Sequence, residues 1–145
     1  MQVIEKLLAN DETHSGTIAE FLAQCIEACV SCELACNACA DACLLEPDID
    51  KLRRCIRLDL DCLDICATTA RLLSRRQTVD KHLHAQLEAC ARVCASCGEE
   101  CRRHATSHEH CRVCSDACRS CERQCRGLLK ALPEMAATSS RQPPG

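Results

Sequence analysis

The feature that most constrains this chain is the spacing of its cysteines, which in three segments follow one another at alternating steps of three and four residues. Residues three and four positions apart lie on one face of an α-helix, and such steps form the a and d positions of a heptad. The 18 cysteines therefore predict four helices that each present a stripe of thiols to a shared core. The four stripes are Cys25, Cys29, Cys32, Cys36, Cys39 and Cys43; Cys55, Cys62 and Cys66; Cys90, Cys94, Cys97 and Cys101; and Cys111, Cys114, Cys118, Cys121 and Cys125.

Glycine and proline are scarce, and neither occurs between Thr17 and Glu46 or between Asp48 and Cys97. Long uninterrupted helices follow from this. The predicted helices run from a capping box at Thr17 to about Leu45, from about Asp48 to Arg75, from the cap Thr78 to about His104, and from a second candidate capping box at Thr106 to Pro133. Short connections favour an antiparallel, up-down-up-down four-helix bundle, which is an all-α fold.

The sequence is predicted to have three regions. Residues 1–16 contain a short N-terminal amphipathic helix, marked by Val3, Ile4, Leu7 and Leu8, and a linker. Residues 17–132 form the cysteine-lined bundle, and residues 133–145 are predicted to be a disordered C-terminal tail.

The two ends of the predicted core differ in chemistry. Where each stripe continues beyond its first or last cysteine, an antiparallel bundle brings mostly aliphatic residues together at one end. That plug consists of Ile18, Leu22, Thr69, Leu73, Leu83, Leu87, Leu128 and Leu132. At the other end the third stripe continues to His104, and the next turn supplies His108 and His110. We predict that this histidine-bearing end is the mouth and that these three side chains are metal ligands or assist metal passage.

Charge and composition exclude several classes of function. A net charge of −3 provides no field that would attract nucleic acid or anionic lipid. The N-terminal residues do not resemble a signal peptide, and no apolar run reaches the ~18 residues of a membrane span. We therefore expect a cytosolic protein without nucleic-acid or membrane partners. Cytosolic thiols are kept reduced, which favours metal binding over disulfides.

The chemistry of the stripes favours Cu(I). Soft thiolates select Cu(I), zinc or iron–sulfur clusters, but zinc takes about four ligands in a tetrahedron, which rigid helical stripes arrange poorly. Cysteines at i and i+4 suit an ion that is content with two or three sulfurs. Buried thiolates also need charge compensation, and a comparable number of monovalent ions leaves the core nearly neutral. So many ligands predict storage of many ions and no catalysis.

The segment from Cys25 to Cys39, which reads Cys-Ile-Glu-Ala-Cys-Val-Ser-Cys-Glu-Leu-Ala-Cys-Asn-Ala-Cys, resembles the bacterial copper storage proteins of the cytosolic branch. The resemblance covers roughly residues 17–132. It implies a four-helix bundle, assembled as a homotetramer, that holds many Cu(I) ions on its cysteines and admits them at a histidine-containing end. The second helix departs from the pattern, because Asp59 and Thr69 occupy positions where the other helices carry sulfur or aliphatic groups.

Other interpretations of the cysteines remain. They could staple a secreted bundle through disulfides or serve as inert core residues. The Cys-x-x-Cys steps, such as 29/32 and 94/97, are also compatible with an iron–sulfur enzyme or electron carrier, and thiolates could buffer zinc or cadmium.

Two further features have ordinary alternatives. The three histidines could be exposed residues at helix ends, where histidine is favourable. The second helix carries an additional apolar stripe of Ile56, Leu60, Leu63, Ala67 and Ala70. This stripe could pack against the N-terminal helix or form a subunit interface.

Overall fold

A computed structural model describes residues 2–9, 16–75 and 81–132. These residues form five helices, and no β-strand occurs among them. The helices are α1 (Gln2–Ala9), α2 (Gly16–Leu44), α3 (Ile49–Leu73), α4 (Lys81–Arg103) and α5 (Glu109–Ala131). At ~1.5 Å per residue, the 29 residues of α2 span about 43 Å. The predicted all-α fold is confirmed.

The four long helices pack as a ring around one axis. α2 contacts α3 and α5, and α4 contacts the same two helices. The connections at residues 45–48 and 104–108 are too short to cross the bundle, so consecutive helices run antiparallel. This arrangement places the start of α2 and α4 beside the end of α3 and α5, as an up-down-up-down bundle requires.

The helix bounds agree with the sequence except at the last helix. α5 begins at Glu109 with His108 as its N-cap, and His108 makes no side-chain capping hydrogen bond. The predicted capping box at Thr106 is therefore wrong, because residues 104–107 form a turn in which the amides of Ser107 and His108 bond to the His104 carbonyl. The predictions for the Thr17 side chain, for Thr78 and for residues 10–15 and 133–145 lie outside the described residues.

The core consists mainly of cysteine side chains. All 18 cysteines are at most 1 % exposed, which confirms the predicted register of every stripe. The plug is also formed as predicted, since all its leucines are buried and only Ile18 is half-buried. Thr69 is buried there, and its hydroxyl donates to the Ile65 carbonyl at 2.7 Å and accepts from Gln86 at 3.1 Å.

α4 and α5 approach closely at Gly98. A Cβ added there would lie 3.2 Å from the Cβ of Cys118, which is closer than ordinary van der Waals contact. The Ser115 hydroxyl donates to the Gly98 carbonyl at 2.9 Å across the same crossing. The absence of a side chain at Gly98 therefore allows the cysteine stripes of α4 and α5 to meet.

The short helix α1 packs against α2, and Leu8 is its buried anchor. The main contact of α1 is therefore with α2, and not with the apolar stripe of α3 as one interpretation of that stripe proposed. Leu60, in the middle of that stripe, remains 46 % exposed.

Candidate metal centre

The thiols of the four stripes form a nearly continuous chain of sulfur atoms along the bundle axis. At the plugged end the Sγ atoms of Cys25 and Cys125 are 3.7 Å apart. Further pairs follow at similar distances, including Cys29 with Cys121 at 3.6 Å. The chain ends near the mouth at Cys39, Cys43 and Cys111, whose Sγ atoms lie 3.9 Å from one another in the pairs 39/43 and 39/111.

Many of the sulfurs are grouped tightly enough to share ions. Several sets of four Sγ atoms lie within 4.8 Å of one another and combine cysteines from at least three helices. Examples are the sets Cys29, Cys90, Cys121 and Cys125; Cys32, Cys62, Cys66 and Cys94; Cys36, Cys97, Cys114 and Cys118; and Cys39, Cys43, Cys55 and Cys111. All 18 cysteines are free and buried, so the disulfide-stapled alternative does not describe this structure.

A carboxyl group, that of Asp59, lies within the sulfur chain. Asp59 is fully buried, and its Oδ1 accepts hydrogen bonds from the thiols of Cys97 and Cys114 at 3.2 Å and of Cys101 at 3.4 Å. Burial, followed by the sulfurs of Cys114 and Cys97, raises the pKa of Asp59 to about 11. Asp59 is therefore a neutral carboxylic acid in the metal-free protein at neutral pH.

Burial also keeps the Cys43 thiol, which lies near the mouth, protonated. Burial, and after it the nearby sulfur of Cys55, raises the pKa of the Cys43 thiol to about 12. A protonated thiol packs as a small hydrophobe, so the buried Cys43 side chain is compatible with a folded apo protein. A metal ion that binds such a thiol must displace its proton.

His110 is the histidine that touches the sulfur chain. Its Nδ1 lies 3.5 Å from the Sγ atoms of Cys39 and Cys111 and 3.9 Å from that of Cys43. The opposite nitrogen, Nε2, lies 3.1 Å from Oε1 of Glu46 in the α2–α3 turn. The ring is about one-fifth exposed and thus connects solvent with the end of the sulfur chain.

The other two predicted histidines face carboxylates. Both ring nitrogens of His108 lie near a carboxylate. Nε2 is 3.1 Å from Asp48, and Nδ1 is 3.4 Å from Glu46. A hydrogen bond to Asp48 raises the pKa of His108, and the ring stacks on His110 with centroids 5.3 Å apart. His104 Nε2 lies 3.4 Å from the largely buried Glu100.

Glu100 links His104 to two basic side chains. Its other oxygen lies 3.6 Å from Arg54 and 3.5 Å from Arg103. His104 and His108 are thus placed at the mouth end beside carboxylates, whereas the contacts of His110 reach the sulfurs.

The sequence left two polar residues of this site without a role. Asp59 did carry a signal, since it continues the register of Cys55, Cys62 and Cys66 at steps of four and three residues. Glu46 carried none, because it lies in a turn and meets His110 only through the folding of the chain.

A sequence model of the copper storage protein family matches residues 18–130. The chain belongs to the copper storage protein family. The match covers all 18 cysteines, all three mouth histidines and Asp59. A curated relative, the uncharacterized cysteine-rich protein YhjQ of Bacillus subtilis, is 40 % identical over 93 residues, which are 64 % of this chain and 82 % of the relative.

Solved structures of copper storage proteins share the fold. The Streptomyces lividans copper storage protein Ccsp, loaded with ten copper equivalents, is 52 % identical with a TM-score of 0.82 over 88 % of this chain and 98 % of that one. A cytosolic copper storage protein from the same organism, with five coppers, is 56 % identical with a TM-score of 0.78 over 80 % and 98 %. Cu(I)-bound BsCsp3 is 38 % identical with a TM-score of 0.68 over 75 % and 98 %.

None of the described helices is long and apolar enough to cross a bilayer.

Proposed function

We propose that this protein stores many Cu(I) ions on cysteine thiolates inside its four-helix bundle. The observation that carries the proposal is that all 18 cysteines are free and buried and that most of them fall into sets of four whose sulfurs lie within 4.8 Å of one another. Membership of the copper storage family and the copper-loaded state of similar structures support Cu(I) as the cargo.

All 18 cysteines of the four stripes are the proposed ligands. Neighbouring sets share members, since Cys32, Cys36, Cys62 and Cys118 form another group of four. A sulfur that bridges two Cu(I) ions is a ligand of both, so each ion can gain two or three ligands from a limited number of thiolates. Such sharing suits a dense store, whereas a catalytic metal needs an open coordination position. We therefore propose no enzymatic activity.

Cu(I) is proposed to enter and leave at the histidine-bearing end. The plugged end is closed by buried leucines, whereas His110 is partly exposed and lies 3.5 Å from two sulfurs. Neutral imidazole is a Cu(I)-compatible ligand, and His110 thus offers a first binding position next to the sulfur chain. His104 and His108 are proposed to assist at the same mouth, where neighbouring carboxylates orient their rings.

The proposal extends to the assembly and the location of the protein. The partly exposed apolar stripe of α3, centred on Leu60, supports a subunit interface, and we propose a homotetramer as the resemblance to the family implies. A similar protein is a cytosolic copper storage protein, and we place this chain in the cytosol as well.

Anaerobic titration of the reduced protein with Cu(I), in competition with a coloured Cu(I) chelator, tests the storage proposal. We expect the chain to withdraw many equivalents before the chelate colour develops. Saturation at one or two ions per chain would contradict storage. Size-exclusion chromatography with light scattering tests the tetramer in the same samples, and a monomeric mass would contradict it.

A further inference from the structure

The two ring nitrogens of His110 have different partners on opposite sides. Nε2 lies 3.1 Å from Oε1 of Glu46, whereas Nδ1 lies 3.5 Å from the sulfurs of Cys39 and Cys111. An ionised carboxylate can only accept a hydrogen bond, so Nε2 is the donor. In an imidazole that carries one N–H, the lone pair then resides on Nδ1 and is directed at the sulfur chain.

We propose that Glu46 is a positioning residue that selects the His110 nitrogen facing the sulfurs and thereby sets the rate at which the first Cu(I) ions reach them. The inference rests on the proposed function of copper storage. A carboxylate bonded to the outer nitrogen of a metal-binding histidine fixes both the tautomer and the orientation of the ring. Glu46 occupies that place here, on the opposite side of the ring from the thiols.

Glu46 discriminates between ring orientations as well as tautomers. A rotation of the His110 ring by half a turn would place carbon atoms where Nε2 and Nδ1 now stand. That rotation would break the bond to Glu46 and remove the lone pair from Cys39 and Cys111. The observed orientation is therefore the one that satisfies the carboxylate and the sulfurs together.

The backbone holds Glu46 in place. The Glu46 amide donates to the Cys43 carbonyl at 3.2 Å, so the carboxylate is carried by the same turn as the last cysteine of α2. His110 stands in the first turn of α5. The same Glu46 oxygen lies 3.4 Å from His108, whose other nitrogen is bonded to Asp48 at 3.1 Å. The α2–α3 turn thus supplies carboxylates to both histidines.

The tautomer can be measured in the metal-free protein by NMR of ¹³C- and ¹⁵N-labelled histidine, at a pH well above the ordinary histidine pKa of ~6.5. We expect the His110 ring of the unmodified protein to hold its proton on Nε2. Glu46→Ala should give a mixture of tautomers, and Glu46→Gln should retain the original one because its amide oxygen still accepts. Asp41→Ala, at an exposed position on α2, is the matched control and should leave the spectrum unchanged.

Stopped-flow loading from a coloured Cu(I) chelate provides the second readout. Glu46→Ala should slow the first phase about 10-fold with unchanged final capacity, Glu46→Gln should load close to the normal rate, and Asp41→Ala should not differ from the unmodified protein. His110→Ala sets the rate expected when the ring is absent.

Two results would overturn the inference. One is a Glu46→Ala variant with an unchanged His110 tautomer and unchanged loading rate. The other is a Glu46→Gln variant that loads as slowly as Glu46→Ala, because negative charge at the mouth would then matter and the hydrogen bond would not. The NMR measurement needs no copper, so it separates failure of this inference from failure of copper storage, which low capacity in the unmodified protein would reveal.

Discussion

Oδ1 of Asp59 lies 3.2 Å from the Sγ of Cys114, in the interior of a core made mainly of thiols and aliphatic side chains. The thiol donates and the carboxyl oxygen accepts, so the pair extends the sulfur chain by one oxygen. Because Asp59 contacts cysteines of α4 as well as α5, it also connects three helices. This position makes its protonation state important for the metal-free fold.

Asp59→Asn should change how the stability of the apo protein depends on pH. The pKa of Asp59 is about 11 in the folded state and ~3.9 in an unfolded chain. The contribution of Asp59 to stability is therefore fully present below the unfolded pKa and is lost as pH rises towards the folded one, by about 1.4 kcal/mol per pH unit. Denaturant unfolding between about pH 5 and pH 8, below the ordinary thiol pKa of ~8.5, measures the slope. Asp59→Asn should lack this contribution, and equal slopes in both proteins would show that Asp59 is ionised.

Gly98→Ala should destabilise the bundle, and Gly127→Ala is its control. Both replace a helical glycine, which by itself stabilises by about 1 kcal/mol. At Gly98 the new Cβ meets the Cβ of Cys118 at 3.2 Å, whereas at Gly127 the nearest atom is on Phe21 at 3.7 Å. Strain in a packed core costs about 1 to 3 kcal/mol, so Gly98→Ala should lower the free energy of unfolding and Gly127→Ala should raise it. Equal gains in chemical denaturation would contradict the close approach of α4 and α5.

Copper loading should release protons. The Cys43 thiol has its pKa raised to about 12 by burial, so it is protonated at neutral pH and must lose a proton to bind Cu(I). Apparent affinity should therefore increase as pH rises. Loading in a weakly buffered solution with a pH indicator measures the protons released per copper. Loading without acidification would mean that the thiolates are already ionised in the apo protein.

Asp48→Asn should lower the pKa of His108 without changing copper capacity. The hydrogen bond between them raises the pKa of His108 and lowers that of Asp48. The interaction therefore stabilises the mouth between the lowered carboxyl pKa and the raised imidazole pKa, and is lost outside that window. An NMR titration of the His108 ring reports the shift. The same pKa in both proteins would place the His108 ring away from Asp48 in solution.

The sequence predicted most of the fold because cysteine spacing carries both helical period and burial. Alternating steps of three and four residues specify which face of each helix is inside, and Cys25 through Cys125 are buried accordingly. The start of α5 was predicted incorrectly at Thr106, since local capping preference was outweighed by the turn that bonds to the His104 carbonyl. The packing of α1 against α2 had no signal in the sequence, because an amphipathic helix does not specify its partner.

The site was predictable where it follows the register and unpredictable where loops meet. His110 was expected at the mouth because it directly precedes Cys111. Its bond to Glu46 joins residues 64 positions apart through two connections whose conformations no periodicity describes. Asp59 lay in the cysteine register, but its contacts with three thiols depend on how α3, α4 and α5 are rotated against one another.

Anomalous diffraction at the copper absorption edge, from crystals of the fully loaded reduced protein, tests the central claim most directly. The account predicts many copper positions inside the bundle, within bonding distance of sulfurs along the axis from Cys25 to Cys111, and one bound to Nδ1 of His110. Copper confined to surface histidines and carboxylates, with the core sulfurs unbound or paired as disulfides, would contradict it.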